Sequence, residues 1–261
     1  MSAAPVPRCL TIAGSDSGGA AGIQADLKAF AAAGVYGTSA IVALTAQNTR
    51  EVASVYEVPP WFVRAQLDAV AEDIGIDAAK TGMLFSRAII DAVADWIEEH
   101  PLPLVVDPVM VASSGARLLE DDAVASLLHR LLPLATVVTP NVMEARELTG
   151  SDAGPEALAE SLVGLGAPAA LVTGGHAGRP ADHLFDGREH HEIPFERSDV
   201  AATHGAGCTH SATLAALLAR GLSLLEAARG AAAAASRAVA EGLVEIGAGD
   251  GPVDALGVGP R

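Results

Sequence analysis

The sequence predicts an α/β fold of three layers (α/β/α), with a mostly parallel central sheet and helices on both of its faces. Three observations predict it. Short apolar runs recur along the 261 residues, and they are continuously apolar rather than alternating, as in strands buried on both faces. Segments with apolar residues at helical spacing separate these runs. Glycine-rich and polar residues gather just after the runs, at 14–22, Gln47, 80–83, 107–110, 141–144 and 174–175. In open parallel sheets the ligand crevice forms at that carboxyl edge.

RCLTIAG at 8–14 reads as a buried strand that runs into a glycine-rich turn. Ile23, Leu27 and Phe30 recur at helical spacing, so 21–33 reads as a helix closed by Gly34. TSAIVALTAQN is a second apolar strand. PPWFVRAQLDAVAEDIG opens on proline and carries Phe62, Leu67, Val70 and Ile74 along one side. AAKTGM, LVVDPVM, ATVVTPN and AALVTGG are further strands, with amphipathic segments at 86–99 and 120–131 among them. In DHLFDGREHHEIPF, at 182–195, two short runs meet at Asp186-Gly187, a hairpin signal. The Ala-rich stretch 223–241 reads as a helix packed on the sheet. Trp61 and Trp96 read as packing residues. With no internal repeat and no linker, one domain over 1–261 is expected.

Half of the residues are apolar but only 3% are aromatic, so the core must rest on Ala, Val, Leu and Ile. No apolar run reaches the roughly 18 residues of a membrane span. The start, MSAAPVPRCLTIAG, goes straight into strand-like sequence, which argues against a cleaved signal peptide. Cys9 and Cys208 are too few for a disulfide framework or a zinc site. A cytoplasmic protein is expected. A formal charge of −16 argues against nucleic-acid and anionic-membrane partners. Lys28 and Lys80 are its two lysines; salt adaptation and genome base composition both fit that bias.

HGAGCTHSATLAALLA, at 204–219, puts two glycines and a cysteine at the mouth of an apolar helix. Gly205, Ala206 and Gly207 let backbone approach a ligand, and the helix start offers unpaired N–H groups and a positive dipole end. Such a pocket suits the charge that develops on a phosphoryl group in transfer. Cys208 there should have a lowered pKa and could accept a proton. A tight turn with a small buried cysteine is the plain alternative. The stretch is not a dinucleotide fingerprint, since His210 stands where glycine is needed. GSDSGGAAGIQ is not a Walker A loop, although Asp26 could aim a carboxylate at a ligand hydroxyl. Gln47 offers donors and acceptors to a nitrogenous ring, and Met83 a polarizable wall. Asp107 and Glu144 are oxygen donors suited to Mg²⁺, with Asn141 equally placed to cap a helix. Gly174 could frame a nucleotide. His183, His190 and His191 lack a convincing metal spacing.

Taken in order, TIAGSDSGGAAGIQADLKAF, GVYGTSAIVALTAQNT, AAKTGM, VVDPVM, TPNVMEA, VTGGH and THGAGCTHSA resemble the hydroxymethylpyrimidine/phosphomethylpyrimidine kinases of thiamine biosynthesis, within the ribokinase-like superfamily. The resemblance covers about 8–240. It implies phosphorylation of 4-amino-5-hydroxymethyl-2-methylpyrimidine, then of its monophosphate, with ATP and Mg²⁺, by a homodimer. By position it implies Gln47, Asp26, Met83 and Val109 around the pyrimidine. Gly205, Ala206, Gly207 and Cys208 match the anion hole and catalytic position, where sugar-kinase relatives carry aspartate. Thr173, Gly174 and Thr203 match the nucleotide side, and Asp107, Asn141 and Glu144 the metal- and phosphate-facing positions.

Two departures stand out. The family usually reads KGGH where this chain has Thr173, and often VAKSG where it has Ser113. Each removes a cation near the expected phosphates, which slows phosphoryl transfer unless another cation substitutes. Arg117, Arg179 or a second metal ion are candidates. Two other readings share the residues: a pyridoxal kinase, and a pyrimidine-binding regulator that has lost catalysis. A nicotinamide dehydrogenase fits poorly.

Overall fold

The computed structural model describes residues 5–111, 115, 118–174 and 180–259. The chain alternates strand and helix: β1 (Arg8–Asp16), α1 (Gly22–Ala32), β2 (Tyr36–Gln47), β3 (Val52–Glu57), α2 (Pro60–Asp73), β4 (Ala78–Thr81) and α3 (Arg87–Glu99). It continues with β5 (Leu104–Val106), α4 (Asp121–Ser126), β6 (Val137–Val138), α5 (Val142–Thr149), α6 (Pro155–Gly164) and β7 (Ala170–Val172). Then come β8 (Ala181–Phe185), β9 (His190–Pro194), α7 (Ala206–Ala219) and α8 (Leu224–Ala240).

The nine strands make one sheet in the order β3-β2-β1-β4-β5-β6-β7-β8-β9. From β2 to β7 every neighbouring pair is parallel. Antiparallel strands flank this block: β3 on β2 at one edge, and the β8–β9 hairpin on β7 at the other. The short central strands are wholly buried, which is why their sequence shows no alternation. Side chains still part to opposite faces with period two. Leu104, Val106, Ala170 and Val172 join the core under α2, α3, α5 and α6. Val105 and Leu171 join the second core under α1, α7 and α8. The three-layer α/β/α expectation holds.

Local chemistry sets the helix ends. Gly34, at φ +73°, turns the chain after α1. Ser86 accepts the Ile89 N–H at the start of α3, and Ser223 forms a capping box with Glu226 at the start of α8. The segment 120–131 is helical as expected, but α4 widens after Ser126 into a π turn over Leu127–Leu131. Trp96 is fully buried and donates its indole N–H to Asp68 Oδ1 at 2.9 Å. Trp61 corrects the sequence reading, because it is 71% exposed on the first turn of α2. Neither β3 nor α6 was anticipated. An edge strand with half-exposed VASVYE and a ten-residue helix give weak periodic signals.

With few aromatics, the second core closes through alanines. Ala227, Ala228, Ala231, Ala232, Ala235 and Ala238 of α8 are buried, as are Ala212, Ala215 and Ala216 of α7. Small side chains let the two helices approach closely, and Ala231, fully buried, has little room for a larger side chain. Ala231→Leu should therefore destabilise by about 1–3 kcal/mol through overpacking. The check is a urea titration, where the midpoint falls and the slope is unchanged.

Candidate active site

The loops at the carboxyl edge of β1, β2, β4, β5, β6 and β7 enclose a cleft of about 200 Å³ with the first turn of α7. Gly205, Ala206, Gly207 and Cys208 line it on one side, and Gln47 and Met83 on another. The two loops therefore face one space.

The anion loop owes its shape to Gly205. This residue caps α7 at φ +87°, and a Cβ there would lie 1.8 Å from the Ala20 carbonyl oxygen. Only glycine fits both demands. Ala206 donates its N–H to Thr203 O at 3.0 Å, and His204 O accepts from Val253 N–H at 3.1 Å. Gly207 and Cys208 belong to the first turn of α7, whose N–H groups have no intrahelical partner, and both residues line the cleft. Around Gly207 a Cβ would meet nothing within 4 Å, so the approach is open.

Cys208 departs from the sequence expectation. Burial pushes its thiol up, to about 12, and the charges of Asp26 and Asp107 add to this. Lys80 and the Gly22 N–H oppose them without prevailing. Desolvation in a crowded, acidic wall disfavours the thiolate.

Asp26 also departs from expectation as a contact. It is fully buried and does not reach the cleft wall. Its carboxylate accepts from Thr11 Oγ1 at 2.6 Å and from Lys80 Nζ at 2.9 and 3.1 Å. Lys80 does reach the wall. Burial works against its ammonium, but Asp26, Cys208 and Asp107 outweigh that and hold it above the ordinary lysine value. Lys80 Nζ lies 3.7 Å from Asp107 Oδ2, which in turn accepts from Ser211 Oγ at 2.7 Å. Val109, expected at the ring, lines the same cleft.

Asp107, Asn141 and Glu144 all line the cleft, yet they differ in what they can still bind. Asn141 Oδ1 accepts from the N–H groups of Met143 and Glu144 at 2.8 and 2.9 Å, and Glu144 Oε2 from the Asn141 N–H at 2.9 Å. The pair is a capping box, so the capping role of Asn141 is the one realised. Glu144 is pushed well above the usual carboxylate range by burial and by the charge of Asp107. Among the described residues no three His, Cys, Asp or Glu side chains gather as a metal cage. Two carboxylates on a phosphate-sized cleft still fit Mg²⁺, which keeps most of its waters and needs one or two such ligands.

Of the residues expected on the nucleotide side, Thr173 and Thr203 line the cleft and Gly174 does not. Thr203 is tied through its N–H and hydroxyl to Asp250 at 3.1 and 2.8 Å. The Gly174 N–H donates to Asp182 Oδ1 at 3.1 Å, while Asp182 Oδ2 sits 3.0 Å from His210 Nε2. Ser113, Arg117 and Arg179 lie outside the described residues.

Sequence reasoning missed Lys80, Asp16 and His204. Asp16 accepts N–H groups from Gly18, Ala20 and Ala21 and so folds the loop after β1. A lysine inside the apolar run AAKTGM was the available signal, since a buried cation needs a buried anion.

The phosphomethylpyrimidine kinase family model matches residues 16–254. A hydroxymethylpyrimidine/phosphomethylpyrimidine kinase of Rhizobium meliloti is 52% identical over 252 residues, covering 94% of this chain and 95% of that protein. An ADP complex of Bacillus subtilis pyridoxal kinase superposes with a TM-score of 0.88 at 37% identity, over 96% of this chain and 97% of that one. A phosphomethylpyrimidine kinase from Clostridium difficile gives 0.77 at 38% identity, over 86% and 96%. Match, identity and fold agree, and the chain belongs to the phosphomethylpyrimidine kinase family.

Proposed function

We propose that this chain transfers the γ-phosphoryl group of ATP to the hydroxymethyl group of 4-amino-5-hydroxymethyl-2-methylpyrimidine, and then to the resulting monophosphate, in thiamine biosynthesis. One observation carries the reading: Gln47, suited to a nitrogenous ring, and the amides at 205–208, suited to a phosphoryl group, line one cleft. The pyrimidine lies against Gln47, Met83 and Val109, and the terminal phosphate on the anion loop. Gly207 and Cys208 amides stabilise its equatorial oxygens. Asp107 and Glu144 would hold Mg²⁺, which supplies positive charge to the phosphates when bound. Cys208 can receive the hydroxyl proton only as thiolate, so its own proton must first leave to solvent, a loss that a bound cation would favour; Lys80 is the fixed charge that offsets Asp26 and Asp107 beside it. Most of the acceleration is positioning and electrostatics.

The work is placed in the cytoplasm, where ATP is made. Among the described residues no helix is long and apolar enough to cross a membrane. The acting species is a homodimer. Its support is an apolar face at the β3 edge, where Leu44, Tyr56, Trp61 and Phe62 are all exposed. Leu44 and Tyr56 are cross-strand partners, and the Trp61 and Phe62 rings stand edge-on, 5.5 Å apart.

Incubation with MgATP and the aminopyrimidine, followed by mass spectrometry, should yield mono- and diphosphate, with pyridoxal turned over far less. No phosphorylated pyrimidine would end this reading. Cys208→Ala should lower first-step turnover by about 10²–10⁴-fold, the usual worth of a proton acceptor. The second step, whose nucleophile is already anionic, should lose less; equal losses contradict the assignment. With the thiol near 12, about one molecule in 10⁴ is thiolate at pH 8. Iodoacetamide labelling of the ligand-free protein should be slow there and climb about tenfold per pH unit, because below the raised pKa the thiolate fraction grows about tenfold with each unit. Rapid labelling of Cys208 at pH 8 contradicts it. Light scattering should give a dimer mass, and Tyr56→Glu with Trp61→Ala should give a monomer.

A further inference from the structure

Gln47 can be read in either direction, because a carboxamide carries a donor end and an acceptor end that exchange on a half-turn. A pocket that discriminates between rings must fix that direction. Two side chains hold the amide. Thr45 Oγ1 lies 3.1 Å from Gln47 Oε1, and His204 Nε2 lies 3.2 Å from Gln47 Nε2. His204 is buried, at 5% exposure, and shares the cleft wall with both.

Protons decide the outcome. Thr45 has one hydroxyl hydrogen, and the Ser15 carbonyl, which can only accept, lies 3.1 Å from it. Where that hydrogen goes to Ser15 rather than to Gln47 Oε1, which lies at the same distance, Thr45 presents lone pairs to Gln47 and wants the amide NH₂. At the other end two nitrogens face each other, and one of them must accept. Asp16 Oδ2 lies 3.7 Å from the same His204 Nε2. Burial works against the Asp16 charge, but His204 and the N–H groups of Ala21, Gly18 and Ala20 hold it below the usual carboxylate range. An ionised carboxylate cannot donate, so it favours a hydrogen on Nε2. His204 then wants the Gln47 carbonyl. Both ends ask for the same half-turn.

We infer that His204, with Thr45 as its counterpart, is the specificity-determining residue that sets the direction of the Gln47 amide, and hence the order of donor and acceptor shown to the substrate ring. With one N–H spent on Thr45 and one lone pair on His204, the amide keeps one donor and one acceptor. A 4-aminopyrimidine edge carries their complement, a ring nitrogen beside an amino group. A pyridine alcohol without that pair leaves both Gln47 groups unmet, the arrangement that rejects an analogue most strongly. His204 acts through Gln47 and does not touch the reacting atoms. The inference rests on the pyrimidine reading proposed above.

The test compares kcat/KM for the aminopyrimidine alcohol with that for its desamino analogue. His204→Leu should shrink this ratio about five- to tenfold, the worth of one hydrogen bond, with the KM for ATP unchanged. His204→Gln, which keeps an N–H donor, should restore most of the ratio. Thr45→Val reaches the amide from its other end and should shrink the ratio too, whereas Thr45→Ser should not. The inference is overturned if His204→Leu and Thr45→Val leave the ratio at its wild-type value. It is equally overturned if they raise the KM for both alcohols and ATP together, as loss of the 203–208 loop would. Wild-type protein that neither binds nor phosphorylates the aminopyrimidine removes the functional reading itself. An active wild type with an unmoved ratio removes only the role of His204.

Discussion

The ion pair between Lys80 and Asp26 is the constraint on which the rest of the site depends. Both side chains are fully out of solvent, at the point where β4 ends and α1 begins its second turn. Burying two charges gains little by itself, but removing either partner strands the other at a penalty of about 3–5 kcal/mol. The pair is therefore fixed once made. Thr11 of β1 bonds to Asp26, Lys80 leans toward Asp107 after β5, and Asp107 holds Ser211 of α7. A chain of polar contacts thus ties three strands and two helices directly beneath the cleft floor. The anion loop rides on α7, so its position against Gln47 is inherited from this buried cation.

That arrangement changes what the loss of family lysines means. Thr173 stands where the family usually has a flexible cation at the phosphates, and its hydroxyl lies against the Pro140 carbonyl. Lys80 is a different kind of charge, with no freedom to follow a phosphate as transfer proceeds. It acts as a fixed field on Cys208 and Asp107, paid in advance by the folding of the core. Mobile charge must come from elsewhere. The two carboxyl groups, one with its proton affinity raised by burial and by the charge of the other, are where a divalent cation would have most to neutralise.

Much of this was legible in the sequence, and for a single reason. Parallel strands buried on both faces must be continuously apolar, so each polar cluster that interrupts them announces a loop at the carboxyl edge. Gln47, Asp107, Glu144 and the 205–208 stretch were found that way, and all line the cleft. What stayed hidden depends on pairing across the chain. Asp26 looks like a ligand-facing carboxylate until Lys80, 54 positions later, is seen to claim it. Cys208 looks activated by its helix until its desolvation and two acidic neighbours are counted. Asn141 was readable both ways, since TPNVMEA spells a capping box as plainly as a ligand set, and capping won. Trp61 misled because aromatic residues usually pack inward, and this one stands exposed on the first turn of α2.

The raised proton affinities of Cys208 and Glu144 have a common origin. Asp26 and Asp107 lie near the ammonium of Lys80, and Asp107 also faces Glu144, in a region where water is scarce. With one fixed positive charge among them, the wall resolves its excess of negative potential by keeping protons on its weakest acids. The same excess favours a ligand that brings positive charge into the cleft over one that brings only negative charge. A preference of that kind needs no dedicated metal cage, and among the described residues none gathers. It follows from a charge balance that the core has already fixed, one cation short.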